Sequence, residues 1–260
     1  YMHYDPSPIM VMQPTIQMAE TFSKDRLSPM LRDTPVLRDK VNDKSRNSGN
    51  TILQKIFPGG HVTMVGANSP SSLASRPIRI LLADEIDRYP ATAGNEGDPL
   101  LLAGKRLATF WNKKEVCVST PTNKETSRIA VEFEHSTQEE WNVPCPACGA
   151  FTPLLWANIV FDRDKLDEIG CTCPACGVVS SETEWKEQYI NGKFVAAHPE
   201  RKVRGFHLNA LASLFVDWRE IVEKFLTALV KIEVDLIVGR EVTRNGVVQL
   251  VFERAVSVEQ

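Results

Sequence analysis

Residues 79–85 run Arg79-Ile80-Leu81-Leu82-Ala83-Asp84-Glu85, four apolar residues in a row stopped abruptly by two carboxylates. A strand apolar on both faces belongs at the centre of a mostly parallel sheet covered by helices. Upstream, Ile9 to Met12 is a second short buried strand. It ends at Gln13-Pro14-Thr15, where the proline pushes its predecessor out of the helical region. Thr15 is placed to cap a helix over Ile16–Leu31, with Met18, Phe22 and Leu27 on one face. Residues 32–50 read as a solvated connector. Two apolar runs around Pro58-Gly59-Gly60, Ile52–Phe57 and His61–Val65, predict a hairpin. Downstream, Asp98 and Pro99 open a helix over Leu100–Trp111, and Glu115–Val118 is another strand. Buried strands alternating with helices predict an α/β fold.

The carboxylates carry the first chemical signal. An apolar strand that ends in Asp-Glu is the pattern of a Walker B element, which delivers both acids to the carboxyl edge of the sheet. There Asp84 would hold Mg²⁺ and Glu85 would polarise an attacking water. Many strands end in acids that only face solvent, so a second element matters. Another strand ends 34 residues on at Ser119-Thr120-Pro121-Thr122. In motor ATPases a hydroxyl-rich strand end beside the Walker B strand senses the γ-phosphate; the alternative is a turn that caps the next helix. No G-x-x-x-x-G-K-[ST] phosphate loop stands in the 260 residues, and Gly94–Lys105 and Gly59–Ser72 both fail its spacing. The expectation is a chain that begins inside a domain.

The second signal is metallic. Cys145-Pro-Ala-Cys148-Gly and Cys173-Pro-Ala-Cys176-Gly are two C-x-x-C knuckles with 24 residues between them, a Zn²⁺ pattern. Four thiolates close the metal shell, so the ion is structural. The surrounding segment 141–180 carries a net charge of −2 and is a poor phosphate binder. Cys171 reads as a spare buried thiol or a substitute ligand, and Cys117 as core. Further on, Glu182–Ile190 is a short helix, Val203–Phe215 a strand and Trp218–Leu229 an amphipathic helix. Arg244-Asn245-Gly246 marks a hairpin in a valine-rich tail.

Composition excludes whole classes. Apolar residues at 43% and charged residues at 24% leave room for a sizeable core, and the net charge of −3 disfavours a protein that coats DNA through its overall field. No run approaches 18 apolar residues, and the N-terminus lacks a signal-peptide core, so an intracellular protein is expected. The basic stretch within 191–206 (Lys193, Arg201, Lys202 and Arg204 against Glu200) faces either DNA or solvent. Arg76, Arg79, Arg88, Lys105 and Arg106 are candidate phosphate or transition-state partners.

The segments 59–90, 116–129 and 203–215, with the paired CPACG knuckles between them, resemble the phage terminase large subunit of the GpA (lambda-like) family over about residues 1–228. The resemblance implies a P-loop-type (ASCE) ATPase core, incomplete at its N-terminus, with an inserted zinc ribbon. It implies Asp84 as Mg²⁺ ligand, Glu85 as catalytic base, Ser119, Thr120, Pro121 and Thr122 as coupling motif, and Gln13-Pro14-Thr15 as a helicase-like motif. Zn²⁺ would sit on Cys145, Cys148, Cys173 and Cys176. The expected organisation is a partial ATPase core over 1–140, the ribbon over 141–180, the end of the ATPase region over 181–228 and a divergent tail over 229–260. Expected partners are ATP, double-stranded viral DNA, the small terminase subunit, the portal protein and further copies of the chain, in the cytoplasm of a bacterial host. The family's nuclease carboxylates are absent here, and the tail departs from its usual continuation, as in a decayed prophage. Two other readings are a non-catalytic zinc-ribbon module binding nucleic acid or protein, and a helicase-type ATPase of another branch.

Overall fold

The computed structural model describes residues 1–41, 49–122 and 126–237, with side chains described as far as residue 228. The chain divides into two compact units, one over Tyr1–Thr120 and the other beginning at Pro121. The expected hairpin around Arg244-Asn245-Gly246 lies outside the described residues.

In the first unit, β1 (Pro8–Gln13) leads into α1 (Ile16–Phe22), α2 (Ser28–Asp33) and α3 (Pro35–Arg38). There follow β2 (Gln54–Phe57), β3 (Gly60–Gly66), α4 (Pro70–Leu73), β4 (Ile80–Asp84), α5 (Pro99–Gly104) and β5 (Lys114–Val118). The strands form one mixed sheet in the order β2-β3-β1-β4-β5. β3, β1, β4 and β5 are mutually parallel, and β2 pairs antiparallel to β3 across the predicted Pro-Gly-Gly turn. Side chains alternate across a strand. Ile9, Val11, Val62, Met64 and Ile80 therefore share one face and pack with Ala19, Leu27, Leu31 and Phe57. Met10, Met12, Leu81 and Ala83 point the other way and are equally buried. Burial on both faces is what the apolar run at 80–83 demands. The architecture is α/β.

Two details differ from expectation. The first helix runs through a π-turn, Ser23–Leu27, in which Ser28 N bonds to Ser23 O. Its buried stripe is Ala19, Ser23, Leu27 and Leu31, while Met18 is exposed. Ser23 tolerates burial because its hydroxyl donates to Ile52 O. The second helix starts as predicted, with Asp98 accepting Leu101 N at 3.1 Å, but α5 ends at Gly104 and tightens into a 3₁₀ turn over Lys105–Leu107. Trp111 lies beyond it, 94% exposed.

The second unit contains α6 (Arg128–Glu134), β6 (Glu139–Pro144), β7 (Phe151–Pro153), β8 (Ile159–Asp162), β9 (Lys165–Thr172), β10 (Val179–Ser181), α7 (Glu182–Glu187), β11 (Lys193–Ala196), β12 (Phe206–His207) and α8 (Trp218–Ile237). β11, β6, β12 and β7 make one small sheet, and β10-β9-β8 another. Trp185 and Trp218 are fully buried in its core beside Val143, Leu154 and Leu211. Their indole N–H groups are satisfied by Cys171 O at 3.2 Å and Leu211 O at 2.8 Å, as buried indoles require. α7 opens with a capping box between Ser181 and Glu184. The strand expected over Val203–Phe215 shrinks to Phe206–His207. Asn209 ends it by accepting Ala212 N at 3.0 Å and donating to Leu154 O at 2.7 Å, which bends the chain into a 3₁₀ turn. No helix among the described residues is long and apolar enough to cross a membrane.

Candidate functional site

All four parallel strands end on one edge of the sheet, so Gln13, Gly66, Asp84 and Val118 finish side by side. β1 passes to β3 on one side and borders β4 on the other, which makes the β1/β4 boundary a point where the strand order reverses. Open α/β sheets bind ligands in the crevice outside such a point. The polar residues sit there. Gln13, itself buried, donates from Nε2 to Asp84 Oδ2 at 3.0 Å. The end of β1 is pinned further by Ala67 N to Gln13 O at 2.8 Å and by the Tyr89 hydroxyl to Met12 O at 2.8 Å.

Glu85 is held differently. Its backbone stands at φ 57°, ψ 47°, the left-handed region that costs a non-glycine residue of order 1–3 kcal/mol. Its Oε2 lies 3.0 Å from Arg88 Nε yet is buried without an aligned hydrogen bond among the described residues. An acid kept in a strained backbone with unspent acceptor capacity is expensive. Such costs gather at working sites. The β5 tip reaches this turn: Asp84 is in register with Val118, and Asp87 N donates to Ser119 Oγ at 3.2 Å. Ser119 is thus brought to the acid pair. Thr120 is exposed and takes the Ser119 hydroxyl on its carbonyl at 3.3 Å, while Pro121 and Thr122 fall in the second unit.

The four knuckle thiols form a separate cluster. Their sulfurs all lie within 4.8 Å of one another, with Cys145–Cys176 and Cys148–Cys173 each at 3.9 Å. Tetrahedral Zn–S bonds of about 2.3 Å set sulfur spacings of roughly 3.8 Å, so the cage fits that ion. The two knuckles repeat the same backbone. Gly149 N bonds Cys145 O at 2.8 Å and Gly177 N bonds Cys173 O at 2.9 Å, with both glycines at positive φ (73° and 75°). Burial raises the Cys173 thiol, but the amides of Cys176 and Ala175 and the thiols of Cys145 and Cys176 outweigh it and pull it down. The Val178 amide lowers Cys176, yet burial and the bonds to Cys148, Cys173 and Cys145 push it up. One thiolate suppresses the next, and a dication is what removes that suppression. Cys171 stays outside the cage; burial pushes its thiol up to about 12, which suits a neutral core group. Cys117, on β5, is half-buried.

Residues 1–194 match the family described as phage terminase large subunit gpA, ATPase domain. The chain belongs to the phage terminase large subunit family. A curated relative, the large terminase subunit of Enterobacteria phage P21, is 24% identical across 85% of this chain and 38% of its own length. That of Escherichia phage lambda is 29% identical across 52% of this chain and 22% of its own. The chain therefore spans well under half the length of these terminase subunits. The ATPase domain of the Thermus phage P74-26 large terminase has a TM-score of 0.38 and 12% identity over 87% of this chain and 72% of that one.

Within this terminase chain, most candidate cations are engaged. Arg79 is buried and forked onto Asp5 through both terminal nitrogens, which pulls the Asp5 carboxyl below its usual range. Arg88 faces Glu85, and Arg106 donates to Ala74 O at 3.3 Å. The side chains of Arg76 and Lys105 are exposed and form no hydrogen bond or ion pair with another described residue. In the basic stretch, Arg204 forks onto Glu139 at 2.8 and 2.7 Å, Arg201 grips the carbonyls of Glu134 and Ser136, and Lys193 sits 3.9 Å over the Phe151 ring. Those three side chains find their partners within the second unit. Sequence reading missed the Gln13 clamp and the Arg88 contact. A strand-end glutamine signals the first only once the β1–β4 register is known, and the i,i+3 spacing of Glu85 and Arg88 was available for the second.

Proposed function

We propose that the chain supplies the acid-pair part of the ATPase that drives viral DNA packaging. The observation that carries this reading is the meeting of Asp84, Glu85 and Ser119 at one sheet edge, tied by the Asp87–Ser119 hydrogen bond. Asp84, fixed by Gln13, is the carboxylate for Mg²⁺; when bound with ATP, the ion would neutralise charge building on the transferred phosphate. Glu85 orients the attacking water and accepts its proton. The strand end from Ser119 to Thr122 couples the state of the γ-phosphate to movement. Arg76 and Lys105, the two uncommitted members of the five candidate cations, are the phosphate-facing candidates on this unit.

The cage of Cys145, Cys148, Cys173 and Cys176 holds Zn²⁺ as a structural clip, and residues 141–180 form a zinc ribbon inserted in an ASCE core. The core takes residues 1–140, residues 181–228 close the ATPase region, and 229–260 form a divergent tail. The working assembly is an oligomer acting on double-stranded DNA with the small terminase subunit and the portal protein in the bacterial cytoplasm. Endonuclease activity belongs to the same reading of the whole protein.

The test has two arms on the 260-residue chain. Mn²⁺ titration followed by water-proton relaxation should show a site that Asp84→Asn removes; binding unchanged in that variant overturns the assignment. Because no phosphate loop stands in these residues, ATP turnover should stay at background. Robust turnover abolished by Glu85→Gln would confirm the acids and refute the need for a further segment.

A further inference from the structure

The turn after the acid pair holds two contacts that the chemistry above leaves unused. Arg88 sets its Nε 3.0 Å from Glu85 Oε2, and Asp87, on the same 3₁₀ turn Ile86–Arg88, gives its amide to Ser119 Oγ. Arg88 N also bonds back to Glu85 O at 2.9 Å, so the backbone between the two charged side chains is a closed loop. A turn of three residues has no slack. Any shift of the β5 tip that draws Ser119 away from Asp87 must rotate the same turn and swing the guanidinium relative to the carboxylate.

We propose that Arg88 is a positioning residue that holds the Glu85 carboxylate in reserve, and that Ser119 sets this latch through the Asp87 amide. The inference rests on the reading of Glu85 as the water-orienting acid. A carboxylate facing a guanidinium points along its own turn rather than at a water. Arg88 keeps 65% of its side chain in solvent against 33% for Glu85. Pairs so solvated are weak, which suits a contact that must open in every cycle. The strained backbone at Glu85 acts in the same sense, because a residue outside its preferred region is held there by neighbours and moves when they do.

The experiment is residue-resolved NMR of the full ¹⁵N-labelled chain, following hydrogen exchange at Arg88 Nε and at the Asp87 amide. In the wild type the Asp87 amide should be protected by its hydrogen bond, and exchange at Arg88 Nε should be slowed by the neighbouring carboxylate. Glu85→Gln should speed Arg88 Nε exchange on the order of tenfold and leave Asp87 protected. Ser119→Ala should speed both, and Ser119→Thr, which keeps the hydroxyl, should restore both. A general loss of packing would not spare the threonine variant. Arg88 exchange indifferent to Glu85→Gln overturns the latch, and Asp87 exchange that rises in Ser119→Ala without Arg88 following overturns the link. Neither outcome involves metal or nucleotide, so the Asp84 titration above stands apart from it. Failure of that titration removes the water-orienting reading and this inference with it.

Discussion

The two candidate sites of this chain solve opposite problems. At the sheet edge, Glu85 is strained, half-exposed and short of hydrogen bonds, and Asp84 relies on a single amide from Gln13. At the thiol cage, two identical knuckles converge with their glycines already in the left-handed region, and buried Cys145 and Cys173 back exposed Cys148 and Cys176. One arrangement spends stability to keep groups available; the other uses every donor to close a shell. Under the proposed function, that contrast separates a site meant to act from one meant to hold. It also explains why the more regular site is the more conspicuous in the sequence.

The contrast can be broken from the holding side first. Stripping the metal with a strong chelator, or changing Cys173 to Ala, should abolish cooperative unfolding of the second unit, since apparent zinc binding in small structural sites reaches about 10–16 kcal/mol. Near-ultraviolet circular dichroism of Trp185 and Trp218, both fully buried in that unit, should collapse. Retention of that signal in the metal-free protein would show that the cage is ornament rather than staple.

The acting side should respond in reverse. Glu85→Asn places a residue that tolerates the left-handed region and removes an unsatisfied carboxylate. It should raise stability by about 1 kcal/mol, measured by urea denaturation. A loss of stability would mean that Glu85 is an ordinary structural residue and that the strain argument fails.

A smaller effect sharpens the distinction between structural and available charges. The Arg204 guanidinium beside Glu139 holds its carboxyl below the usual range, helped by the Thr137 hydroxyl against the opposing pull of burial. A depressed folded value adds stability that is complete above the ordinary carboxylate pKa, about 4.3, and is lost as pH falls through the folded value. Arg204→Met should therefore flatten the acid limb of the stability–pH curve below about pH 4.5. An unchanged limb would assign it to other carboxylates.

Much of the acting site was legible because it is local. Four apolar residues followed by Asp84-Glu85 state a central strand and its edge, and the short apolar run Val116–Val118 states the strand that carries Ser119. What escaped was register and backbone strain. Nothing in the string Gln13-Pro14-Thr15 says that β1 lies against β4 with Met12 opposite Ala83, and nothing marks Glu85 for the left-handed region. The knuckles were fully legible, because their spacing is the geometry. The run at 203–215 was misread for a physical reason. Its apolar residues look like a strand, but Asn209 competes for backbone groups, and Leu214 and Phe215 end exposed.

The π-turn at Ser23–Leu27 has a consequence for how this gene tolerates change. A stripe repeating every four residues drifts by about 40° per step on an ordinary helix. The wider turn absorbs part of that drift and keeps Leu27 and Leu31 under the sheet. It is the structural trace of an extra residue accommodated mid-helix. Deleting one residue between 23 and 27 should restore a regular helix, and because the stripe from Ala19 to Leu31 would then span eleven residues, Leu31 should stay within about 20° of the Ala19 face.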